Sequence, residues 1–306
     1  MIQSEKGGLK SSYRQGDGSI DHMSGTLYLV SLPIGNLEDM TIRAIRTLRA
    51  VDAIVAEDTR TTQRILDRYA IRTPFFSSLY QGAERARLNL VLDRLRDGAD
   101  LALVSDAGTP LVSDPGFPLV RSAVEAGIRV SPVPGPSALL AGLVASGFPL
   151  DQFRFGGALP RKAGDRASQL AQLDRMRYTS VFYESPHRLL ETLRMLAEIL
   201  PDRRVVLARE LTKVHETFLR GTPTEILSAI GPVDRVKGEC VLLIDGASEV
   251  HEDIVPPRAT EVRTLLRDAG LPKRSIVDVL VLALGMRRND AYRFAHDTEE
   301  TDDSES

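Results

Sequence analysis

Leu101-Ala102-Leu103-Val104-Ser105-Asp106-Ala107-Gly108-Thr109-Pro110 reads as a strand running into a loop. Its first four residues are an uncharged apolar run of strand length, its last six a loop of small, turn-forming residues, and helical spacing resumes beyond it. Two other strand-like stretches lead into loops of the same kind. Residues 27–32 run into Pro33-Ile34-Gly35-Asn36, and residues 129–133 run into Pro134-Gly135-Pro136-Ser137. Gly and Pro at such places shape the backbone so that peptide groups, rather than long side chains, approach a bound molecule. The three loops therefore read as one ligand cradle. Neither G-x-G-x-x-G after the first strand nor G-x-x-x-x-G-K-[ST] occurs, so the ligand implied is not one of those two nucleotide classes.

Outward from these loops the alternation continues. Ile42, Ile45 and Leu48 are spaced to share a helix face, residues 52–56 read as a short buried strand ending in Glu57-Asp58-Thr59-Arg60, and Leu88, Val91, Leu92 and Leu95 mark an amphipathic helix. Phe117, Val120 and Val124 are the expected inner face of the helix after the 105–110 loop, with Gly127 closing it, and residues 137–146 are helical. Strand and helix alternating in this way predict a mainly parallel, right-handed α/β sheet. In such sheets the ligand lies beyond the carboxyl ends of the strands, where all three loops fall.

After Gly147-Phe148-Pro149 a second α/β lobe is expected, with apolar runs at 180–183, 205–208 and 240–244. Its strand ends carry polar clusters: Glu184-Ser185-Pro186-His187-Arg188, Arg209-Glu210-Leu211-Thr212-Lys213 and Lys237-Gly238-Glu239. Val255-Pro256-Pro257 reads as a linker to a small helical appendage with helices at 261–268 and 275–284 and a last short one through Tyr292. The expected organisation is a disordered segment 1–22, lobes at 23–146 and 147–250, a helical domain at 258–295 and an acidic tail at 296–306.

With 306 residues and 42% hydrophobic content the chain can bury two cores. The single cysteine, Cys240, permits neither an internal disulfide nor a cysteine metal site, and a reducing compartment fits. Neither a signal peptide nor an apolar run of membrane-spanning length is seen, so a soluble cytoplasmic protein without membrane partners is expected. The net charge of −3 includes six acids in residues 296–306, which hold no Lys or Arg. Basicity is regional: residues 151–220 hold thirteen Lys/Arg against nine Asp/Glu, and residues 258–293 hold eight against four. That is the electrostatic footprint of a surface that meets phosphates, although solvated surface arginines leave the same mark.

Taken in order, Thr26–Val30, Pro33–Leu37, Ala56–Arg60, Ser105–Gly116, Pro134–Ala138, Phe182–Arg188, Ala208–Lys213 and Val236–Glu239 resemble the bacterial ribosomal RNA small subunit methyltransferase I family, across roughly residues 25–295. The resemblance implies the tetrapyrrole-methylase fold: two α/β lobes with S-adenosylmethionine in the cleft between them, as a homodimer. It implies an activity, 2′-O-methylation of a decoding-centre cytidine in 16S rRNA, with small-subunit RNA or the 30S subunit as partner. It implies cofactor contacts from Ile34, Gly35, Asp106, Gly108, Thr109, Pro110, Gly135, Ser137, Ala138, Phe182 and Tyr183, and a helix-turn-helix-like character for the appendage. The chain departs from the family at Tyr80-Gln81-Gly82-Ala83, where relatives carry a His- and Asn-containing stretch.

Methyl transfer from a sulfonium chiefly requires alignment, and a group that takes the proton of the 2′-hydroxyl adds to it. Glu184, Glu210, Lys213, Lys237 and Glu239, all at expected strand ends, are the candidate catalytic residues; a network of structural ion pairs is the alternative. Lys213 and Lys237 equally suit a substrate phosphate. Arg161, Lys162, Arg166, Arg188, Lys273, Arg274, Arg287 and Arg288 are the candidate RNA contacts. His187 and His215 lack a third ligand, so no metal is expected. Two rival readings share the fold: a methylase acting on a porphyrinoid precursor or a modified histidine, and a non-catalytic ribosome-assembly factor.

Overall fold

A computed structural model of the chain describes residues 24–78, 84–232, 236–247, 256, 258–286 and 288–296. The expected disordered start, Tyr80–Ala83, Val255, Pro257, Arg287 and the acids of the tail lie outside the described residues. Two compact units divide at Ala138/Leu139.

The first unit runs β1 (Thr26–Val30), α1 (Ile42–Ala50), β2 (Ala53–Ala56), α2 (Thr59–Arg68), β3 (Phe75–Ser78), α3 (Glu84–Arg96), β4 (Leu101–Val104), α4 (Phe117–Glu125) and β5 (Arg129–Val133). All its strands pair parallel, as expected, and their order is β3-β2-β4-β1-β5. The side-chain period of two sends Val30, Ile54, Ala56, Ala102 and Val104 to the face covered by α1 and α2. Leu27, Ala53, Val55, Leu101 and Leu103 go to the face covered by α3 and α4. Burial on both faces explains why β2 and β4 read as unbroken apolar runs rather than alternating ones. Local signals start the helices: the Thr41 hydroxyl accepts from the Ala44 N–H ahead of α1, and the Asp58 carboxylate accepts from the Arg60 N–H ahead of α2.

Two helix faces differ from expectation. The buried residues of α4 are Leu119 and Ala123, whereas Phe117 and Val124 are exposed. Six of the nine positions of α4 are apolar and they lie on more than one face, so periodicity alone does not choose the buried one; the small Ala123 lets the helix approach the sheet. In α1 the buried set is Ala44, Thr47 and Leu48, and Ile42 in the first turn points to solvent.

The second unit runs α5 (Ala138–Val144), β6 (Phe153–Ala158), α6 (Ala163–Ala171), β7 (Thr179–Glu184), α7 (Leu189–Ile199), β8 (Val205–Arg209), β9 (Thr217–Gly221), α8 (Pro223–Ile230), β10 (Cys240–Ile244), α9 (Ala259–Asp268), α10 (Lys273–Leu284) and α11 (Arg288–His296). The boundary expected at 146/147 moves to 138/139, because Gly142 of α5 lies against Val241 and Leu243 of β10. The sheet order is β6-β7-β10-β8-β9 and only β6–β7 is parallel. Phe182, Val205, Leu207, Leu242 and Ile244 form its core with α6, α7 and α8. The three C-terminal helices enclose a core of their own around Ile276, Leu280 and Met286, and Tyr292 also packs on the core of the sheet. None of the described helices is long and apolar enough to cross a membrane.

Candidate functional site

In the first unit the three loops leave the carboxyl ends of the adjacent strands β4, β1 and β5 and are tied together. Leu32 and Gly108 exchange both backbone hydrogen bonds at 2.9 Å, pairing the first loop with the second. The Ser31 hydroxyl donates to Thr109 Oγ1 at 3.1 Å, and the Thr109 hydroxyl donates to the Pro136 carbonyl at 3.3 Å, so one relay joins all three. Close approach is needed: a Cβ on Gly135 would lie 2.9 Å from Ser31 Cβ. Gly108 has φ +72°, where an L side chain is strained, and a Cβ there would meet Ile34 Cγ2 at 3.3 Å. Leu111 and Ser113 hold left-handed backbone without being glycine, the kind of strain that concentrates at ligand-binding loops.

Beside the cradle sits a row of acids, only one of which, Asp106, was expected at the site. Asp106 Oδ1 accepts from the Asp58 N–H at 3.0 Å, and the Asp106 N–H donates to Glu57 Oε2 at 3.4 Å, linking the ends of β4 and β2. Burial lifts the Glu57 carboxyl above its ordinary value against the opposing hydrogen bond from Asp106, and the charges of Asp114, Asp106 and Asp58 add to the lift. Burial likewise lifts Asp114, with the Ser105 hydroxyl opposing and Asp106 adding. Asp58, hydrogen-bonded to Arg60, is held down at about 2. The Glu57-Asp58 pair at the end of a buried strand was the available sequence signal for this row.

The second unit brings its candidate residues to one sheet edge, because Glu184, Cys240, Arg209 and Thr217 stand in a single register row across β7, β10, β8 and β9. At that edge Lys213 Nζ donates to Glu210 Oε1 and to Glu239 Oε2, both at 2.9 Å. The Glu239 N–H donates to Glu210 Oε1, and the Glu210 N–H donates to the Glu239 carbonyl, both at 3.0 Å. Gly238 has φ +89°, where an L side chain is strained, and a Cβ there would fall 2.4 Å from Glu210 Cδ and push that carboxyl from its place. Burial works against the Lys213 ammonium, but the hydrogen bonds to Glu210 and Glu239 outweigh it and raise its pKa; the Lys213 contact in turn lowers Glu210. Glu210 and Thr212 both take left-handed backbone, so the turn is strained as well as ion-paired. Beside it lies a hollow of about 540 Å³ with an apolar floor of Leu207, Leu219, Ile230 and Val236 and a rim of Arg209, His215 and Lys237.

Three other expectations are corrected. Glu184 is no free base: its side chain is wholly buried, Oε1 accepts from the Ser185 N–H and pairs with Arg188, and Oε2 accepts from the Thr192 hydroxyl. Arg188 and Arg166 are not free to meet RNA. Arg188 donates to the carbonyls of Leu159 and Pro160, and the fully buried Arg166 donates to those of Pro160 and Arg161 while pairing with Glu191 at 2.6 Å. Phe182 lies in the core of the second unit, leaving only its main chain for a ligand, and Tyr183 packs edge-on against Phe155. Arg161, Lys162, Lys237, Lys273 and Arg274 are exposed, and Arg288 pairs with Asp278 at 3.2 Å. Among the described residues no group of three His, Cys, Asp or Glu is arranged to hold a metal ion.

Residues 26–227 match the tetrapyrrole (corrin/porphyrin) methylases. The chain is 43% identical over 281 residues to ribosomal RNA small subunit methyltransferase I of Escherichia coli O157:H7, covering 90% of this chain and 96% of that protein. It is 43% identical over 276 residues to the Pseudomonas aeruginosa protein of the same name, covering 89% and 97%. Among solved structures, diphthine synthase superposes with a TM-score of 0.55 at 14% identity, covering 74% of this chain and 92% of that one. Cobalt precorrin-4 methyltransferase superposes with a TM-score of 0.52 at 17% identity, covering 73% and 95%. These two likenesses concern the fold alone.

Proposed function

The chain belongs to the tetrapyrrole methylase family, in its ribosomal RNA small subunit methyltransferase I group, and from that premise we propose that it methylates small-subunit ribosomal RNA with S-adenosylmethionine, at the ribose 2′-hydroxyl of a decoding-centre cytidine in 16S rRNA. The observation that carries the proposal is the Ser31–Thr109–Pro136 relay, which ties three strand-end loops into one main-chain cradle. A homodimeric cytoplasmic enzyme is the expected form.

The cradle fits the cofactor by the closeness of its walls, since a Cβ at Gly135 would force Ser31 aside. Ile34, Gly35, Asp106, Gly108, Thr109, Pro110, Gly135, Ser137 and Ala138 would hold the cofactor, largely through peptide groups. Bound there, S-adenosylmethionine supplies an activated methyl group on a sulfonium. Alignment of reacting atoms is then the protein's main task and can contribute about 7–11 kcal/mol.

In the second unit Lys213, fixed between Glu210 and Glu239, offers a cation to a phosphate or to the ribose oxygen as its proton leaves. With both Glu184 oxygens engaged, Glu239 is the carboxylate that can take that proton: its side chain is 77% exposed, and such a role is worth about 10²–10⁴ in rate. The hollow rimmed by Arg209, His215 and Lys237 suits an unstacked base with its phosphate. Arg161, Lys162, Lys273 and Arg274 would position the RNA through phosphates without reading its sequence.

The test incubates the purified chain with methyl-labelled S-adenosylmethionine and small ribosomal subunits from cells lacking this activity, then maps label on the RNA. One 2′-O-methylcytidine is expected. Cofactor binding without label on RNA would favour a small-molecule substrate, and no cofactor binding would favour an assembly factor.

A further inference from the structure

Two guanidinium groups, that of Arg166 fully buried and that of Arg188 largely enclosed, converge on one short piece of backbone. Arg188 Nη1 donates to the Leu159 carbonyl at 3.2 Å and the Pro160 carbonyl at 2.9 Å. Arg166 Nη1 donates to the same Pro160 carbonyl at 3.1 Å and to the Arg161 carbonyl at 3.2 Å. Each arginine comes from the helical segment on one side of β7 and is backed by an acid, Arg188 by Glu184 at 2.8 Å and Arg166 by Glu191 at 2.6 Å. Three successive carbonyls thus receive four charge-assisted hydrogen bonds. Holding a surface turn together takes far less, because one ordinary hydrogen bond nets only about 0.5–1.5 kcal/mol. In each pair one charge is fully enclosed, Arg166 in one and Glu184 in the other; enclosing a charge is costly, and the best-attested use of such charges is to fix one geometry rather than to add stability.

The segment so fixed is the one that carries the exposed cations Arg161 and Lys162 out of β6 and into α6. We infer that Arg166 and Arg188 are positioning residues: they clamp Leu159–Arg161 from inside so that Arg161 and Lys162 form a rigid, preset contact for an RNA phosphate. The inference rests on the proposed RNA substrate and deepens it. It assigns the four basic residues of this region to two layers, an outer pair that meets phosphate and an inner pair that never does. A preset pair binds more tightly than the same two side chains on a free loop, because the ordering entropy is already spent. A guanidinium is required for the inner pair, since only its planar fork reaches two carbonyls and a carboxylate at once.

The experiment measures RNA methylation by the full chain with Arg166→Lys and Arg188→Lys, alone and combined with the double variant Arg161→Ala/Lys162→Ala. Expected is a rise in KM for RNA of about tenfold for either Lys variant, the scale of a lost charge-assisted contact, with kcat at saturating RNA and the Kd for S-adenosylmethionine unchanged. In the Arg161→Ala/Lys162→Ala background the same Lys variants are expected to have no further effect, because the clamp acts only through those cations. Glu191→Gln, which loosens Arg166 from the half-exposed end of its ion pair, keeps the test alive should the Lys variants fail to fold; it is expected to raise KM by about threefold, less than the loss of either fork. Equal effects in both backgrounds, or a fall in kcat with KM unchanged, overturn the clamp. If the unsubstituted chain itself methylates no RNA, the functional reading falls and the clamp falls with it.

Discussion

The two sheet edges of this protein are built of different materials. At the first, peptide groups of three loops do the work, pinned by two hydroxyls and glycines that admit no side chain. At the second, charged side chains line the strand ends: Lys213 stands between Glu210 and Glu239, and the Glu184–Arg188 pair is enclosed behind them. The difference follows from what each edge is proposed to hold. A small cofactor is gripped by short-range contacts that depend on backbone shape, whereas an RNA strand is met through charge, which salt screens and distance weakens only slowly.

Four measurements test that contrast, the strongest effect first. Glu184→Ala leaves the Arg188 guanidinium without its carboxylate in a largely buried setting and is expected to destabilise the chain by about 3–5 kcal/mol in chemical denaturation. A stable Glu184→Ala protein that had lost only methylation would return Glu184 to the chemistry. Lys213→Ala is expected to cut methylation of RNA by about 10²-fold while leaving cofactor binding unchanged by calorimetry, the scale of one removed electrostatic partner. If cofactor affinity fell in parallel, the two edges would not divide the labour as described. Gly135→Ala should do the reverse: cofactor Kd rises about tenfold as Ser31 is pushed aside, an overpacking cost of about 1–3 kcal/mol, with RNA affinity unchanged.

The smallest effect is one of pH, and its sign differs between the edges. Glu57 and Asp114 have raised pKa values, so the folded state binds their protons more readily than the unfolded chain does. The stability this supplies is present below their ordinary values of 4.5 and 3.8 and is lost as pH rises through the raised ones. Glu210 has a lowered pKa, so its contribution is present above 4.5 and is lost as pH falls. Melting temperatures across pH 3–7 are therefore expected to rise at pH 7 but not at pH 3 for Glu57→Gln, and to fall at pH 7 but not at pH 3 for Glu210→Gln. Parallel shifts in both variants would remove the distinction.

The first unit was the more legible of the two. Its strands β1, β2 and β4 are largely apolar runs ended by turn residues, and a parallel sheet with helices on both faces requires that pattern. The strands that sequence reading missed, β3, β6 and β9, are all edge strands. An edge strand buries less and so needs no continuous apolar run: β6 contains two glycines, and β9 is at best half-buried throughout. The antiparallel pairing of β10 between β7 and β8 was equally hidden, because pairing partners depend on where distant segments meet rather than on local spacing.

By itself, the sequence determined the chemistry available at each strand end: small residues and hydroxyls after β1, β4 and β5, and acids and bases after β7, β8 and before β10. Spacing and residue type are local properties, and a loop that must be narrow or a strand that must be buried writes them directly into the chain. Which charges remain free was settled by long-range packing. Arg161 and Arg166 lie five residues apart, and Glu184 and Glu239 both stand at the ends of strands, yet one of each pair is exposed and the other enclosed. Enclosure depends on which distant carbonyl, hydroxyl or carboxylate the fold delivers to each group, and no local pattern records that.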